Sequence, residues 1–115
     1  MRKKNFKGRC EKRHLSKCKE VCRTYDPIQK AFANILQADN DITEIQCNVL
    51  LDGLSVGEYT TDFVCVKADN TLMARECVFR KHLTKPHTIK LLDISRDYWH
   101  NHGVTDWGLV IDDEQ

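Results

Sequence analysis

The sequence predicts a single α/β domain in which a mixed sheet carries one helix on each face. Three observations support this fold class: two segments with helical apolar spacing, three strand-like runs between them, and a last apolar run after the second helix. The chain has 115 residues, of which 41% are hydrophobic, and these values are typical of one ordinary globular domain. The order helix, three strands, helix, strand makes the second helix a crossover connection.

The first helix is predicted to begin at Asp26-Pro27, because a capping side chain there precedes a proline at the first helical position. Apolar residues then recur at helical spacing as far as residues 38–40. The following run, ITEIQCNVLL (residues 42–51), alternates between apolar and polar residues. This alternation is typical of a strand with one buried face.

Two further runs, EYTTDFVCVKA (residues 58–68) and TLMARECVF (residues 71–79), are joined by Asp69-Asn70 and predict a hairpin. A second helix is expected from Lys85-Pro86 to His102-Gly103. The last run, DWGLVIDD (residues 106–113), is apolar with almost no alternation. That pattern predicts a strand buried on both faces.

The net charge of +1 conceals a strong asymmetry along the chain. Residues 1–25 contain ten basic and two acidic residues, whereas residues 26–115 contain eight basic and fifteen acidic ones. We therefore divide the chain into a basic, helical N-terminal segment (1–25) and a single domain (26–115). DNA is the partner expected for such a segment, although a solvated or self-docked tail is the alternative. The expected DNA-binding residues are Arg2, Lys3, Lys4, Lys7, Arg9, Lys12 and Arg13.

Composition also bears on the compartment. No apolar run approaches the ~20 residues of a membrane span, and the N-terminus leads into no apolar signal region, which argues against a membrane protein or a secreted precursor. Six cysteines in such a chain are interpreted as thiols of a reducing compartment, so a cytoplasmic location is expected. The oligomeric state is not predicted by these features.

Four potential metal ligands recur at intervals of four residues: Cys10, His14, Cys18 and Cys22. On one straight helix they would span about 18 Å, too far for the ~2.3 Å bonds of a single zinc ion. The spacing therefore favours a helix with a thiol-lined stripe over structural Zn²⁺. A zinc site would require the segment to break near Leu15-Ser16.

Two acidic residues are brought together by the predicted hairpin. If the strands pair through Asp69-Asn70, Asp62 and Glu76 lie opposite each other, because residue 69 is midway between them. Two neighbouring carboxylates repel unless a cation lies between them, and Mg²⁺ or Mn²⁺ is suited to oxygen ligands. Such an ion can activate water for phosphodiester hydrolysis. The alternative is that one acid faces solvent and pairs with Arg75 or Arg80.

The residues around this pair and after the second helix form two motifs. Tyr59, Thr60, Asp62 and Phe63 on the second strand match the pattern Y-T-x-D-F. A closing pattern of R-x-Y-W, glycine and W-G-x-V is matched by Arg96, Tyr98, Trp99, Gly103, Trp107, Gly108 and Val110. In these motifs the chain resembles the N-terminal endonuclease domain of TnsA-type transposase subunits, and the closing pattern is the most specific part of the likeness. The likeness covers about residues 26–112 and implies a restriction-endonuclease-like core.

The resemblance implies metal-dependent DNA cleavage, with Asp62 as a metal ligand and Glu76 at the position of the family's Glu or Gln. Two departures stand out: Val78 occupies the position of the expected lysine, and Gln29 that of a glutamate on the first helix. Arg80 is expected on the same strand face as Glu76, where it can stabilise a phosphate charge. It is a poor general base because arginine does not deprotonate in proteins.

Three functions are compatible with these features. The first is a DNA endonuclease, acting alone or as a subunit of a transposase or other mobile-element complex. The second is a degenerate nuclease fold of a mobile element or phage that binds DNA or protein without cleaving. The third is a small factor that binds a larger nuclease or transposase without contacting DNA.

Overall fold

The computed structural model describes residues 10–54 and 57–112. Two short strands, β1 (Glu11–Arg13) and β2 (Cys22–Thr24), precede the helix α1 (Pro27–Ala38). Three strands follow: β3 (Ile42–Leu50), β4 (Thr60–Lys67) and β5 (Leu72–Val78). A 3₁₀ turn (Arg80–His82), the helix α2 (Pro86–Asn101) and the strand β6 (Asp106–Ile111) complete the order.

The main sheet has the strand order β3-β4-β5-β6. Its first three strands are antiparallel neighbours, whereas β5 and β6 run parallel and are connected through α2. The α/β class, the mixed sheet and the order helix, three strands, helix, strand are thus confirmed. Neither helix of the described chain has the length and apolar character needed to cross a membrane.

The two helices pack on opposite faces of the sheet, as the alternation of the strands requires. On one face, Phe63 of β4 joins Leu36 and other residues of α1 in one apolar cluster. On the other, Val64 of β4 joins Leu91 and Trp99 of α2 in a second cluster. Because successive strand residues point to opposite faces, β4 is buried on both sides and forms the centre of the molecule.

The expected ends of the helices are confirmed. Asp26 caps α1, since its Oδ1 accepts a 2.8 Å hydrogen bond from the backbone N–H of Gln29. The helix α2 begins at Pro86 and ends at Asn101, His102 is its C-cap, and Gly103 follows with φ +84°. This left-handed conformation favours glycine and allows the chain to turn towards β6.

The strand β6 is held at its start by an ionic network. Asp106 accepts hydrogen bonds from Arg75 Nη2 and Lys67 Nζ, both at 2.7 Å. The side chain of Arg75 crosses β6 at Gly108, where a Cβ atom would lie 3.5 Å from the guanidinium. This network connects the end of β4 and the middle of β5 to β6, the last strand in the sequence.

Two sequence expectations about the strands and the N-terminal segment are wrong. Residues 10–25 contain no helix: β1 and β2 form an antiparallel ribbon, and residues 17–18 bond to the edge of β3 through Lys17 O and Ile45 N. The exposed edge of β3 offers backbone hydrogen bonds that a separate helix could not satisfy. The strand β6 is half-buried instead of buried on both faces, because it lies at the opposite edge of the sheet.

Candidate active site

The site is centred on two carboxylates where the pairing of β4 with β5 ends. The last paired residues there are Phe63 and Arg75, so the expected hairpin register is confirmed and Asp62 and Glu76 come next. Beyond this pair, hydrogen bonds from backbone N–H groups to side-chain carboxylates take the place of backbone hydrogen bonds between β4 and β5. The backbone N–H of Asp62 donates to Glu76 Oε1 at 3.3 Å, and that of Cys77 donates to Asp62 Oδ2 at 2.7 Å.

The carboxylate pair is almost completely withdrawn from solvent, with exposed fractions of 2% for Asp62 and 0% for Glu76. The alternative in which one acid faces solvent is therefore wrong. Arg75 pairs with Asp106. Two buried carboxylates at opposite positions of paired strands favour a bound cation, because their mutual repulsion is weakly screened away from water.

Gln29 reaches the pair from α1. Its Nε2 donates to Asp62 Oδ1 at 3.2 Å, and its Oε1 accepts the backbone N–H of Tyr25 at 2.8 Å. A backbone N–H needs an acceptor, so the bond from Tyr25 determines which end of the amide faces Asp62. In this orientation Gln29 holds Asp62 by a donated hydrogen bond. Its amide oxygen is turned towards Tyr25 and not towards a metal ion that Asp62 could bind.

Ser95 of α2 supports Glu76 from the opposite face and was not found by the sequence reasoning. Its Oγ donates to Glu76 Oε2 at 2.6 Å and accepts a 3.0 Å hydrogen bond from Trp107 Nε1. Ser95 is fully buried at a core position of α2, between Leu91 and Trp99 in helical spacing. A serine on the apolar stripe of a helix was the available sign of a polar partner inside the fold.

The aromatic residues of the closing motif pack in the core or against it. Trp99 is buried in the α2 cluster and donates its Nε1 to Thr61 Oγ1 at 2.9 Å. Tyr98 and Trp107 are partly buried against the same cluster. These contacts attach α2 and β6 to β4 beside Asp62, so the residues of this motif support the geometry of the carboxylate pair.

Neither Val78, at the position of the expected lysine, nor Arg80, its possible substitute, places a cation beside the carboxylate pair. Val78 is a buried apolar residue at the end of β5. The expectation that Arg80 extends the same strand face is wrong, because the strand ends at Val78 and Arg80 begins a 3₁₀ turn. Arg80 is exposed, and its backbone N–H and Nε bond to Asp112 at 2.6 and 2.9 Å.

The basic residues expected at DNA occupy different environments. Lys12 is exposed on β1, opposite Arg23 on β2. Arg13 is half-buried, and its Nη2 donates to Asn34 Oδ1 of α1. Of the expected DNA-binding residues within the described chain, only Lys12 therefore has a side chain free to approach a phosphate. The other five lie outside the described residues: Arg2, Lys3, Lys4, Lys7 and Arg9.

The cysteines of the N-terminal segment do not form the expected stripe. Cys18 and Cys22 instead approach Cys47 of β3, whereas Cys10 and His14 are not part of this cluster. A hydrogen bond from Cys47 lowers the pKa of Cys22 to about 7 despite burial. That bond and burial raise the pKa of Cys47, and burial raises the pKa of Cys18 to about 11. Cys22 is thus the thiol of the three that ionises most readily.

Comparison with known proteins gives no assignment beyond this geometry. No protein-family model matches the chain, and no curated protein matches it either.

Proposed function

We propose that this chain is a TnsA-like, metal-dependent DNA endonuclease, or the nuclease subunit of a transposase or other mobile-element complex. The observation that carries the proposal is the meeting of Asp62 and Glu76 at the open end of the β4–β5 ladder, with Gln29 beside them. A restriction-endonuclease-like core, implied by the resemblance, has its carboxylates on the corresponding strands. The element order and register of this chain are compatible with that core.

The residues present fit a hard divalent cation. Asp62 and Glu76 offer carboxylate oxygens, the donor type that Mg²⁺ and Mn²⁺ prefer. A bound ion of this kind supplies a water nucleophile at neutral pH and stabilises charge on a phosphate. The chain's own contribution is orientation: Gln29 and the N–H of Cys77 hold Asp62, while Ser95 holds Glu76.

Catalysis is tested by nicking of supercoiled plasmid DNA in the presence of Mg²⁺ or Mn²⁺. Asp62→Asn keeps the side-chain volume but removes the charge, and should lower the rate at least ~100-fold, since metal-assisted charge stabilisation is worth several kcal/mol. The exposed Asp52 provides the matched control Asp52→Asn. Absence of nicking with either metal, or equal nicking by the two variants, would rule out catalysis by this pair.

The second candidate is a nuclease fold that binds DNA or a protein partner without cleaving. Val78 favours it, because an apolar side chain occupies the position where the family has a lysine, and so no ammonium group assists the attacking water there. Calorimetry with Mn²⁺ separates the two candidates. Endonuclease function requires binding that Asp62→Asn abolishes, whereas a degenerate fold predicts DNA binding with no Asp62-dependent metal site.

The DNA contact proposed for the basic segment has its own test. Deleting residues 1–25 would be uninformative, because Cys22 and Thr24 are buried in the fold. Replacing the neighbouring exposed residues Lys12 and Arg23 with serine should instead reduce the slope of log affinity against log salt by about 2. The control is the same change at Lys85, the N-cap of α2, and at Lys90 on α2, which should leave the slope unchanged. Equal slopes in all proteins would exclude the ribbon as the contact.

A partner that binds the chain in place of DNA is the third possibility. Co-purification from the native host with a transposase or nuclease, together with no DNA retention in a gel-shift assay, would favour it. DNA retention by the isolated chain would instead favour the first two candidates.

A further inference from the structure

Three cysteine sulfurs converge where the N-terminal ribbon meets the main sheet. Cys18 lies in the turn region between β1 and β2, Cys22 begins β2, and Cys47 belongs to β3. Their Sγ atoms all lie within 4.8 Å of one another, and those of Cys22 and Cys47 are 2.9 Å apart. All three are free thiols. Two elements that are separate in the sequence thus present three soft ligands to one point.

We propose that Cys18, Cys22 and Cys47 bind one Zn²⁺ ion as thiolates, with water as the fourth ligand. Soft sulfur donors select zinc over the hard cations that suit carboxylates. Tetrahedral zinc with Zn–S bonds of ~2.3 Å places its sulfurs about 3.8 Å apart. The Cys22–Cys47 separation of 2.9 Å is shorter than that value, and all three sulfurs lie within 4.8 Å of one another, so small side-chain rotations bring them to bonding distance.

The charge balance of the site is also favourable. Binding breaks three S–H bonds and releases the protons to solvent, leaving a zinc–trithiolate group of charge −1. Arg13 lies directly across the ribbon from Cys22 and supplies a compensating positive charge. Its Nη1 is buried without a hydrogen-bond partner in the described part of the chain. A guanidinium beside thiolates stabilises their ionised form.

The fourth position is accessible to solvent. Within residues 10–54 and 57–112, no other His, Cys, Asp or Glu side chain joins the three thiols. A water molecule is therefore the fourth ligand that we expect. A groove of about 560 Å³ borders the cluster and is lined by both Cys18 and Cys47. Water entering this groove can reach the ion on the side that the protein leaves open.

The ion would strengthen the contact between the ribbon and β3. That contact already includes the bridge between Cys18 and Ile45, in which Ile45 N donates to Lys17 O at 2.9 Å. It also includes a 2.9 Å hydrogen bond from Asn48 Nδ2 to Arg23 O and an ion pair between Lys19 and Glu44. Zinc bound by both Cys22 and Cys47 would close a loop of the chain that contains α1. Because the unfolded chain lacks this arrangement, zinc binding stabilises the folded state.

Zinc content tests the proposal directly. Reduced full-length protein, freed of metal by chelation and dialysed against Zn²⁺, should retain one zinc per chain. Cys18→Ser should weaken binding at least ~100-fold, since even the loss of a group supporting a ligand costs 10–100-fold. The control Cys10→Ser, outside the cluster, should bind as tightly as the original protein. Retention of less than a tenth of an equivalent, or equal affinity of Cys18→Ser, would overturn the proposal.

Cobalt distinguishes this site from the carboxylate pair and does not depend on any variant folding. Co²⁺ added to the original protein should produce a sulfur-to-cobalt charge-transfer band, which oxygen ligands cannot give. Added Zn²⁺ should abolish that band and raise the thermal midpoint. Cobalt binding without the band would place the metal elsewhere and overturn the assignment.

Discussion

Asp62 accepts the backbone N–H of Cys77 at 2.7 Å, so a carboxylate takes the place of a strand carbonyl at the end of the β4–β5 ladder. Glu76 does the same for the N–H of Asp62. The two strands are therefore joined by charged side chains where their regular pairing stops. Because these bonds come from side chains, the stability of the sheet depends on the two carboxylates. Substitutions of the residues that contact them are therefore expected to be costly.

The hydroxyl of Ser95 is expected to be important for stability. Ser95→Ala removes the donor to Glu76 and the acceptor for Trp107, and should lower the free energy of unfolding by about 1–3 kcal/mol, since buried polar partners are lost. Urea denaturation measures this change. Thr105→Ala, at an exposed position, should alter the free energy of unfolding by less than ~0.5 kcal/mol. Equal effects of the two changes would contradict the bond network.

A glutamate at position 29 should make the fold depend on metal. In Gln29→Glu, one oxygen can still accept the N–H of Tyr25, but the other faces Asp62 Oδ1 where an amide nitrogen stood. An uncompensated buried charge should cost roughly 3 kcal/mol of unfolding free energy without metal. Mn²⁺ should restore more stability to the variant than to the original protein.

Thermal unfolding with and without Mn²⁺ measures this effect for Gln29→Glu. The matched control is Gln46→Glu on the exposed side of β3, which should be unaffected by Mn²⁺. If the Gln29→Glu protein were as stable as the original without metal, the carboxylate introduced at position 29 would not face that of Asp62.

Asp106 is expected to give the stability a dependence on acid pH. The hydrogen bond from Lys67, followed by that from Arg75, holds the pKa of Asp106 below its ordinary value. Its contribution is therefore present above the unfolded-state pKa of about 4, and is lost as the pH falls through the lower folded-state pKa. Water screens this one-third-exposed group, which limits the contribution to about 1 kcal/mol.

Urea midpoints measured from about pH 6 down to about pH 2 test this dependence. Asp106→Asn should be less stable than the original protein at pH 6, and the difference should shrink as the medium becomes more acidic. Asp41→Asn, a change at an exposed turn position, serves as the control. A difference that persists unchanged at the lowest pH would show that the carboxylate charge is not its source.

Gly103 is expected to resist substitution for a reason of backbone conformation alone. Its φ is +84°, while a Cβ atom placed there would meet nothing within 4 Å. Gly103→Ala should therefore lower the unfolding free energy by about 1 kcal/mol through strain and not through a clash. Gly103→Asn should cost less, because asparagine tolerates the left-handed region better. Chemical denaturation of the two variants compares them, and equal stability of Gly103→Ala and the original protein would contradict this account.

Much of the main domain was predictable because its determinants are local. The caps at Asp26 and Gly103, the alternation in β3 and the turn at Asp69-Asn70 each act over a few residues. The register of the hairpin followed from that turn, and with it the approach of Asp62 to Glu76. Ser95 escaped notice because its partners lie 19 and 12 residues away in the chain.

Only the tertiary structure decided the conformation and role of the N-terminal segment. Its basic residues and cysteine spacing suggested a helix, but the open edge of β3 bonds residues 17–18 and favours a ribbon. That pairing brings Cys18 and Cys22 to Cys47, a meeting that no spacing within residues 1–25 could indicate. The sequence alone determined the elements from α1 to β6 and one carboxylate pair. Contacts between distant segments decided what surrounds them, because edge pairing and burial depend on the whole fold.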